Sequence, residues 1–388
     1  MDPWHRRQPG GGGSGVIRYA HGGVHGRRIS TRQPAIAYYA PDGSRLSDAA
    51  ARGFAADIHA VDAVLGEEIA RSAPGASYRD VTEVALARQH WDAERTQRAR
   101  EFLEHRCEEQ YGVQIEQLAA HGLDDDAIDG DEVVFPDGYD VLSQHLAHGL
   151  DMRLGHAVTR IEWSDRVSIR TAEGDFRADT AVVTLPVGVL RSDSVEFVPA
   201  LPQVNFEALL RLDMNAFEKV FLRFPSSFWD AGVYAIRQQG PQGGWWHSWY
   251  DLTAVHGEPT LLTFAAGDAA RCTREWDDAR VAESVMAQLR RLYGERTVSP
   301  TRIHRTAWQD DPFARGSYAY MKAGATTADH DDLAAPIGRV LHIAGEATWT
   351  ADPATVAGAM FSGHRAAERI LKRRVPIERA WSPDVSSD

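Results

Sequence analysis

A turn from strand to helix near the C-terminus carries the clearest chemical signal in this sequence. The segment "GEATWTADPATVAGAMFSG", residues 345–363, follows an apolar run and ends in very small residues. Thr355 is suited to cap the helix that begins there. Unpaired N–H groups and the helix dipole favour an anion at such a start. Close packing of helix on sheet also selects Gly and Ala, so this segment alone leaves both interpretations open.

A lysine interrupts an otherwise apolar strand pattern further upstream. The alternation in "EKVFLRF" places Lys219 and Phe221 on one face and Val220 and Leu222 on the other. On this pattern alone, Lys219 is a surface lysine. The tryptophan-rich segment "GGWWHSWYD" is compatible with a substrate-chamber wall and with an ordinary sheet core.

Composition excludes several classes of function. The 388 residues are 43% hydrophobic and 25% charged, with a net charge of -13, which disfavours a nucleic-acid partner. No apolar run reaches the roughly 18 residues of a membrane span, and the N-terminus lacks the apolar part of a secretory signal. Two cysteines, Cys107 and Cys272, form neither a disulfide framework nor a metal-ligand spacing. We therefore predict a cytoplasmic protein with no metal and no membrane partner.

The elements that must position these residues are of mixed type. Apolar spacings of three and four predict helices from Asp48 to about Gly112, with Ser47 or Asp48 capping the first and Asp80 the second. Strand patterns follow in "AVTRIEWS", "VSIRTAEG", "TAVVTLPVGVL", "PTLLTFAAG" and "GRVLHIAG". We predict an α/β fold (mixed α+β), with one buried sheet formed from distant segments.

Four segments, read together, resemble one family. "GEATWTADPATVAGAMFSGHRAAERI" resembles the C-terminal flavin segment of the flavin-containing amine oxidases, and "LRLDMNAFEKVFLRFPSSFW" resembles their lysine-bearing strand. "DTAVVTLPVGVLRSDSVEFVPALP" and "WQDDPFARGSYAYM" resemble the strand under the flavin and the substrate-chamber segment. The motifs occur in the family's order over residues 130 to 372, and the branch they resemble contains polyamine oxidases and lysine-specific histone demethylases.

The resemblance implies a flavin site. Its catalytic residues are Lys219, which holds a water near the reactive flavin nitrogen, and Tyr318, an aromatic that flanks the amine. Ser317 stands where members with covalent flavin have Cys, which implies non-covalent FAD. The positions that match cofactor contacts are Val158, Thr184, Leu185, Pro186, Trp308, Phe313, Gly345, Glu346, Thr355 and Val356. Core packing is the alternative for the three aromatic positions, Trp308, Phe313 and Tyr318.

The implied reaction is the oxidation of a small, polyamine-like amine. Hydride passes from the carbon beside a neutral amine to FAD, and the imine product hydrolyses. Molecular oxygen then reoxidises the flavin and yields hydrogen peroxide.

One part of the family pattern is missing. Gly10, Gly12 and Gly15 fit G-x-G-x-x-G formally, but neither a buried strand nor a helix pattern flanks them. We therefore expect a Rossmann-like FAD domain that is truncated at its N-terminus and interleaved with a substrate domain. This departure favours one alternative, an inactive family member that acts as a binding partner. A separate alternative is an enzyme similar to L-amino-acid oxidases, which would need an arginine for the substrate carboxylate.

The same resemblance predicts the domain boundaries. Residues 1–35 are an atypical segment that we expect to be disordered, and residues 376–388 are a tail. The FAD-binding domain comprises 131–195 and 306–375. The substrate domain comprises a helical part, 36–130, and a part with sheet and helix, 196–305.

Overall fold

The structure is a computed structural model that describes residues 27–28, 35–122, 133–135, 138–241 and 245–380. The chain divides into two units, of which the first comprises 1–33 and 127–152 and the second 34–126 and 153–388. The predictions for 1–35 and for the tail fall largely outside the described residues.

Sixteen strands are present among the described residues. They are β1 (Arg27–Arg28), β2 (Ala35–Tyr39), β3 (Val133–Val134), β4 (Val158–Trp163), β5 (Val167–Thr171), β6 (Gly174–Ala178), β7 (Ala181–Val183), β8 (Glu196–Val198), β9 (Leu212–Met214), β10 (Phe217–Arg223), β11 (Val233–Gln238), β12 (Ser248–Asp251), β13 (Thr260–Ala266), β14 (Arg302–Arg305), β15 (Ala319–Met321) and β16 (Leu341–Ile343).

Eleven α-helices are present in the same part of the chain. They are α1 (Asp48–Arg71), α2 (Tyr78–Ala87), α3 (Ala93–Tyr111), α4 (Asp140–Ala147), α5 (Val187–Leu190), α6 (Gln203–Arg211), α7 (Thr253–His256), α8 (Gly267–Thr273), α9 (Asp278–Tyr293), α10 (Ala328–Leu333) and α11 (Val356–Leu371).

The first unit contains the antiparallel pair of β1 and β3 together with α4. The described residues of the second unit form four sheets. The largest has six strands in the order β14-β10-β13-β12-β11-β2, and a four-stranded sheet has the order β6-β5-β4-β8. Two further pairs join β15 with β9, antiparallel, and β16 with β7, parallel.

Three large apolar clusters and a smaller aromatic one lie among the described residues of the second unit. One packs the six-stranded sheet against α9, where Leu222, Trp249 and Leu289 are fully buried. A second surrounds β7, β16 and β4. The third lies among α1, α2 and α3. Each cluster draws on segments far apart in the chain, so the predicted mixed fold is confirmed.

The structure corrects three details of the predicted elements. The strand predicted in "TAVVTLPVGVL" is only three residues long, because Pro186 precedes the short helix α5, and Val182 is 39% exposed rather than buried. Asp80 does not cap α2: Ser77 does, and Asp80 completes a capping box with it. The single predicted sheet is several sheets, since strand patterns do not reveal pairing partners.

Within the part of the chain that the structure describes, none of the helices combines the length and the apolar character that a bilayer crossing requires.

Candidate functional site

Two parallel strands bring distant predicted residues to one edge of a sheet. β7 and β16 pair with Val183 opposite Ile343, and the Ala344 N–H donates to the Val183 carbonyl oxygen at 2.9 Å. Residues 184–186 leave β7 beside residues 345–346, which leave β16. Ligands of open α/β sheets bind outside the carboxyl ends of the strands, so we take this edge as the candidate binding position.

The helix α11 starts next to this edge. Thr355 is its N-cap, and its hydroxyl oxygen accepts a hydrogen bond from the Gly358 N–H at 2.9 Å, as the sequence predicts. The Gly345 N–H donates to the Ser362 hydroxyl at 2.8 Å and ties the strand end to the helix. Val356, the first helical residue, is 43% exposed. The capped helix start is therefore formed and accessible at Val356, and anion binding there stays a prediction.

Two glycines of α11 test why this helix begins with such small residues. A Cβ on Gly358 would lie 2.1 Å from the Asp352 carbonyl oxygen, whereas a Cβ on Gly363 would meet nothing within 4 Å. We expect Gly358→Ala to lower the free energy of unfolding by about 1–3 kcal/mol, because the loop backbone must shift. Gly363→Ala should raise it by about 0.5–1 kcal/mol through helix propensity. Urea unfolding measures both; equal effects would contradict close packing at Gly358.

Glu346 places an enclosed carboxyl group at the strand edge. Its Oε1 accepts a hydrogen bond from the Ala319 N–H at 3.2 Å, while its Oε2 has no partner among the described residues. Burial raises the pKa of Glu346 to about 7, and the N–H groups of Ala319 and Ala354 oppose this rise. The hydroxyl of Thr350, in the same loop, is also buried without a partner. These unmet polar groups fit a hydroxyl-bearing ligand such as the predicted FAD.

Lys219 lies on the accessible face of the six-stranded sheet. It is exposed, stands opposite Phe264 on β13, and shares its face with Phe217. Its backbone is fixed by Thr306: the Lys219 N–H donates to the Thr306 hydroxyl at 2.9 Å, and the Thr306 N–H donates to the Lys219 carbonyl oxygen at 3.0 Å. The predicted face of β10 is confirmed; the catalytic role stays a prediction.

Tyr318 joins an aromatic cluster on the same face. Phe217 and Phe264 stack at 4.8 Å between ring centroids, and Tyr250 and Tyr318 pack against them. The Tyr318 hydroxyl donates to the Gln110 carbonyl oxygen at 2.7 Å. Burial raises the pKa of Tyr318, so its phenol stays protonated near neutral pH. Its partly buried position is also compatible with the packing interpretation.

The two groups of predicted residues meet at Ala319. This residue follows Tyr318 directly, and its N–H donates to Glu346. Val158, at the start of β4, and Leu185 pack against the apolar cluster around β7 and β16. The structure therefore assembles the strand edge, the helix start and the lysine-bearing face within one connected region of the second unit.

Trp308 and Phe313 lie on the loop between β14 and β15. Trp308 is 45% exposed and Phe313 is 68% exposed, so packing within a core does not explain either aromatic side chain. This loop passes close to α5, because a Cβ on Gly188 would lie 2.8 Å from the Arg315 carbonyl oxygen. Both rings are therefore accessible, on a loop that passes α5 at Arg315.

Other aromatic residues show the packing alternative. Trp246 and Trp249 are 3% and 0% exposed in the main core, while Tyr250 contributes to the aromatic cluster beside Lys219. The tryptophan-rich segment is therefore mostly sheet core. Cys107 is buried and Cys272 is exposed, and both are free thiols. Among the described residues, no group of three or more His, Cys, Asp or Glu is placed to hold a metal ion.

Sequence reasoning missed the residues that fix the site loops. Glu218 accepts hydrogen bonds from the loop that carries Trp308, and Asn215 exchanges backbone and side-chain hydrogen bonds with Tyr318. One signal was available for Glu218: strand alternation puts this charged residue on the apolar face with Val220 and Leu222. No comparable signal marks Asn215.

The sequence has relatives among lysine demethylases. Lysine-specific histone demethylase 2 of Homo sapiens is 32% identical over 281 residues, which are 69% of this chain and 34% of that protein. Lysine-specific histone demethylase 1 homolog 2 of Oryza sativa subsp. japonica is 35% identical over 270 residues, which are 67% of this chain and 35% of that protein. This chain spans about a third of the length of these curated relatives.

Solved structures of amine oxidases have the same fold. Cyclohexylamine oxidase from Brevibacterium oxydans IH-35A superposes with a TM-score of 0.70 at 19% identity, covering 89% of this chain and 81% of that one. A putrescine oxidase bound to putrescine gives 0.70 at 18% identity, covering 90% and 82%. The family model described as flavin containing amine oxidoreductase matches residues 75–371. Because that match covers most of the sequence, the chain belongs to the flavin containing amine oxidoreductase family.

Proposed function

We propose that this protein is a FAD-dependent amine oxidase that converts a polyamine-like amine to an imine and produces hydrogen peroxide. One observation supports this most directly: Lys219, Tyr318 and Glu346 belong to one connected region, joined through the hydrogen bond from Ala319 to Glu346. Family membership supplies the reaction class, and the residues supply the means to carry it out.

The cofactor of the family is a flavin, and the residues at the strand edge fit FAD. Glu346 and Thr350 have free hydrogen-bonding capacity for its hydroxyl groups, and the start of α11 favours its negative charge. The Ser317 hydroxyl donates to the Phe217 carbonyl oxygen at 2.7 Å, and Ser has no thiol to link a flavin. Bound FAD would supply the two-electron acceptor for amine oxidation.

The role that we assign to Lys219 is proton transfer. Its ammonium group is exposed on the face of β10 that carries Phe217. A lysine there can hold a water molecule and move a proton to or from it while oxygen is reduced. The fixed backbone of Lys219 limits the positions that its ammonium group can reach.

The aromatic cluster beside Lys219 favours an amine. Aromatic rings attract an amine that arrives as a cation through their quadrupole. Phe217, Phe264 and Tyr318 pack together, and they would keep water from the reacting carbon of a bound amine. The Tyr318 phenol is held by Gln110, so its ring orientation is fixed before substrate binds.

A lysine side chain in a peptide is the second candidate substrate. The human and rice relatives are named as lysine-specific histone demethylases, and their identity to this chain, 32% and 35%, exceeds the 18% of the putrescine oxidase structure. The net charge of -13 is compatible with either cationic substrate. The cytoplasmic location and the absence of a nucleic-acid partner stay predictions.

The first experiment is to incubate the purified chain with FAD, remove free FAD by desalting, and record the visible spectrum. We expect retained flavin bands, and peroxide formation when putrescine, spermidine, or a methylated lysine peptide is added. Peroxide from the polyamines alone would favour the first candidate, and peroxide from the peptide alone the second. A colourless protein would contradict the proposal and favour an inactive binding partner.

A further inference from the structure

Glu218 is a buried charge that the proposed chemistry leaves unexplained. It lies on β10 next to Lys219 but on the opposite face, and it is 7% exposed. Its neighbours on that face, Val220 and Leu222, belong to the main core. Burying a carboxylate is costly unless hydrogen bonds replace its water. The position therefore has to provide those bonds.

The loop after β14 provides them. Glu218 Oε2 accepts from the Thr306 hydroxyl at 2.6 Å and from the Trp308 N–H at 3.2 Å. Its Oε1 accepts from the Gln309 N–H at 3.1 Å and the Gln309 side-chain amide at 3.4 Å. Four hydrogen bonds thus hold one short segment, 306–309, against the strand. Bonds to an ionised acceptor are about twice as strong as neutral ones.

The two arginines near Glu218 do not neutralise its carboxylate. Arg274 and Arg305 line the pocket beside Glu218, but they form ion pairs with Asp310 and Asp278, respectively. The Glu218 carboxylate therefore binds backbone and side-chain donors of the loop rather than a neighbouring arginine.

The segment 306–309 is also tied to both proposed catalytic residues. Thr306 exchanges two hydrogen bonds with the Lys219 backbone, as described above. On the other side, the Gly316 N–H donates to the Trp308 carbonyl oxygen at 3.0 Å, two residues before Tyr318. Trp308 is thus held at its N–H by Glu218 and at its carbonyl by Gly316.

We propose that Glu218 is a positioning residue that fixes Trp308 at the rim of the flavin site and in register with Lys219. The part of this proposal that concerns the flavin rests on the proposed function. The part that concerns the loop does not, since the hydrogen bonds exist whatever is bound. Glu218 acts through Trp308, whose ring is the accessible group.

The test begins with Glu218→Gln, which keeps the shape and turns one acceptor into a donor facing N–H groups. Thr306→Val is the second variant should the first fold poorly: it removes one of the four bonds to Glu218, together with the hydrogen bond from the Lys219 N–H to the Thr306 hydroxyl. Asp57→Asn is the matched control: Asp57 is 8% exposed and pairs with Arg95 at 2.5 Å, in the helical part of the chain.

The first measurement is hydrogen exchange of peptides covering 306–316, by mass spectrometry without FAD. We expect exchange to rise about 10- to 100-fold in Glu218→Gln, as the loss of charged hydrogen bonds implies. Thr306→Val should show a smaller rise, and Asp57→Asn none in this segment. Unchanged exchange in both loop variants would overturn the proposal.

The second measurement is the dissociation constant for FAD, followed by flavin fluorescence. We expect Glu218→Gln to raise it about tenfold or more, and to have little further effect when Trp308→Ala is already present. If Glu218 only stabilised the fold, Glu218→Gln would lower the free energy of unfolding as Asp57→Asn does. Its effect on the dissociation constant for FAD would then add to that of Trp308→Ala in the double variant. Additivity would overturn the positioning role, whereas failure of the wild type to bind FAD would refute the proposed function and leave the exchange result to decide.

Discussion

Lys219→Met is expected to slow flavin turnover by about 10²- to 10⁴-fold, the usual contribution of a positioned acid–base group. Flavin content should stay similar, because methionine keeps the apolar stem and the backbone hydrogen bonds between residue 219 and Thr306 do not involve the side chain. Only the ammonium group is lost. Stopped-flow absorbance of flavin reduction and reoxidation, with peroxide detection, separates the two half-reactions.

The matched control for this change is Lys372→Met, since Lys372 is exposed at the C-terminal end of α11. It removes the same charge from a position outside the site and should leave turnover near the wild-type rate. Equal turnover in wild type and Lys219→Met would remove Lys219 from the mechanism.

We expect Glu346 to make the free energy of unfolding depend strongly on pH. Burial raises its folded pKa from 4.5 to about 7, so the fold favours the protonated carboxyl. The contribution of Glu346 to stability is therefore complete below about pH 4.5, declines as pH rises through 7, and is absent above. At 1.36 kcal/mol per pKa unit, the loss is on the order of 3 kcal/mol.

Glu346→Gln should remove this dependence, because the amide resembles the protonated acid and does not ionise. Without FAD, we expect the variant to lie within about 1 kcal/mol of the wild type near pH 5 and to exceed it by about 3 kcal/mol at pH 8.5. Urea unfolding at both pH values measures the difference. Other, partly buried carboxyls whose pKa burial raises, such as Glu101 and Glu104, contribute equally in both proteins and cancel.

Glu275→Gln is the control here, because Glu275 is exposed. It should change stability little at either pH. A wild type and a Glu346→Gln variant that lose stability in parallel between pH 5 and 8.5 would show that Glu346 is not the group responsible. The same variant should bind FAD more weakly if Glu346 accepts from a flavin hydroxyl.

Local patterns predicted several elements well, because their signals depend on neighbours in the chain. The alternation around Lys219 predicted the strand β10 and its two faces, and Thr355 was recognised as the cap of α11. Capping and alternation involve residues within about four positions of one another. The wrong prediction for Asp80 shows the limit of such local signals, since Ser77 can cap the same helix and does so.

The arrangement of the site depends on contacts between residues that are far apart in the sequence. No pattern in the sequence indicates that Ala319 donates to Glu346, or that Glu218 holds the N–H of Trp308, 90 residues away. The sequence also does not indicate that Trp308 and Phe313 are exposed, because aromatic side chains occur in cores and in binding sites alike.

The sequence by itself determined the mixed fold class, the family motifs and the residue types that the chemistry requires, since these are properties of short segments and of their order. Only the tertiary structure decided which segments meet: the parallel pairing of β7 with β16, the burial of the Glu346 carboxyl, and the loop held by Glu218. The physical reason is that pairing, desolvation and long-range hydrogen bonds depend on distances in space, which no spacing along the chain specifies.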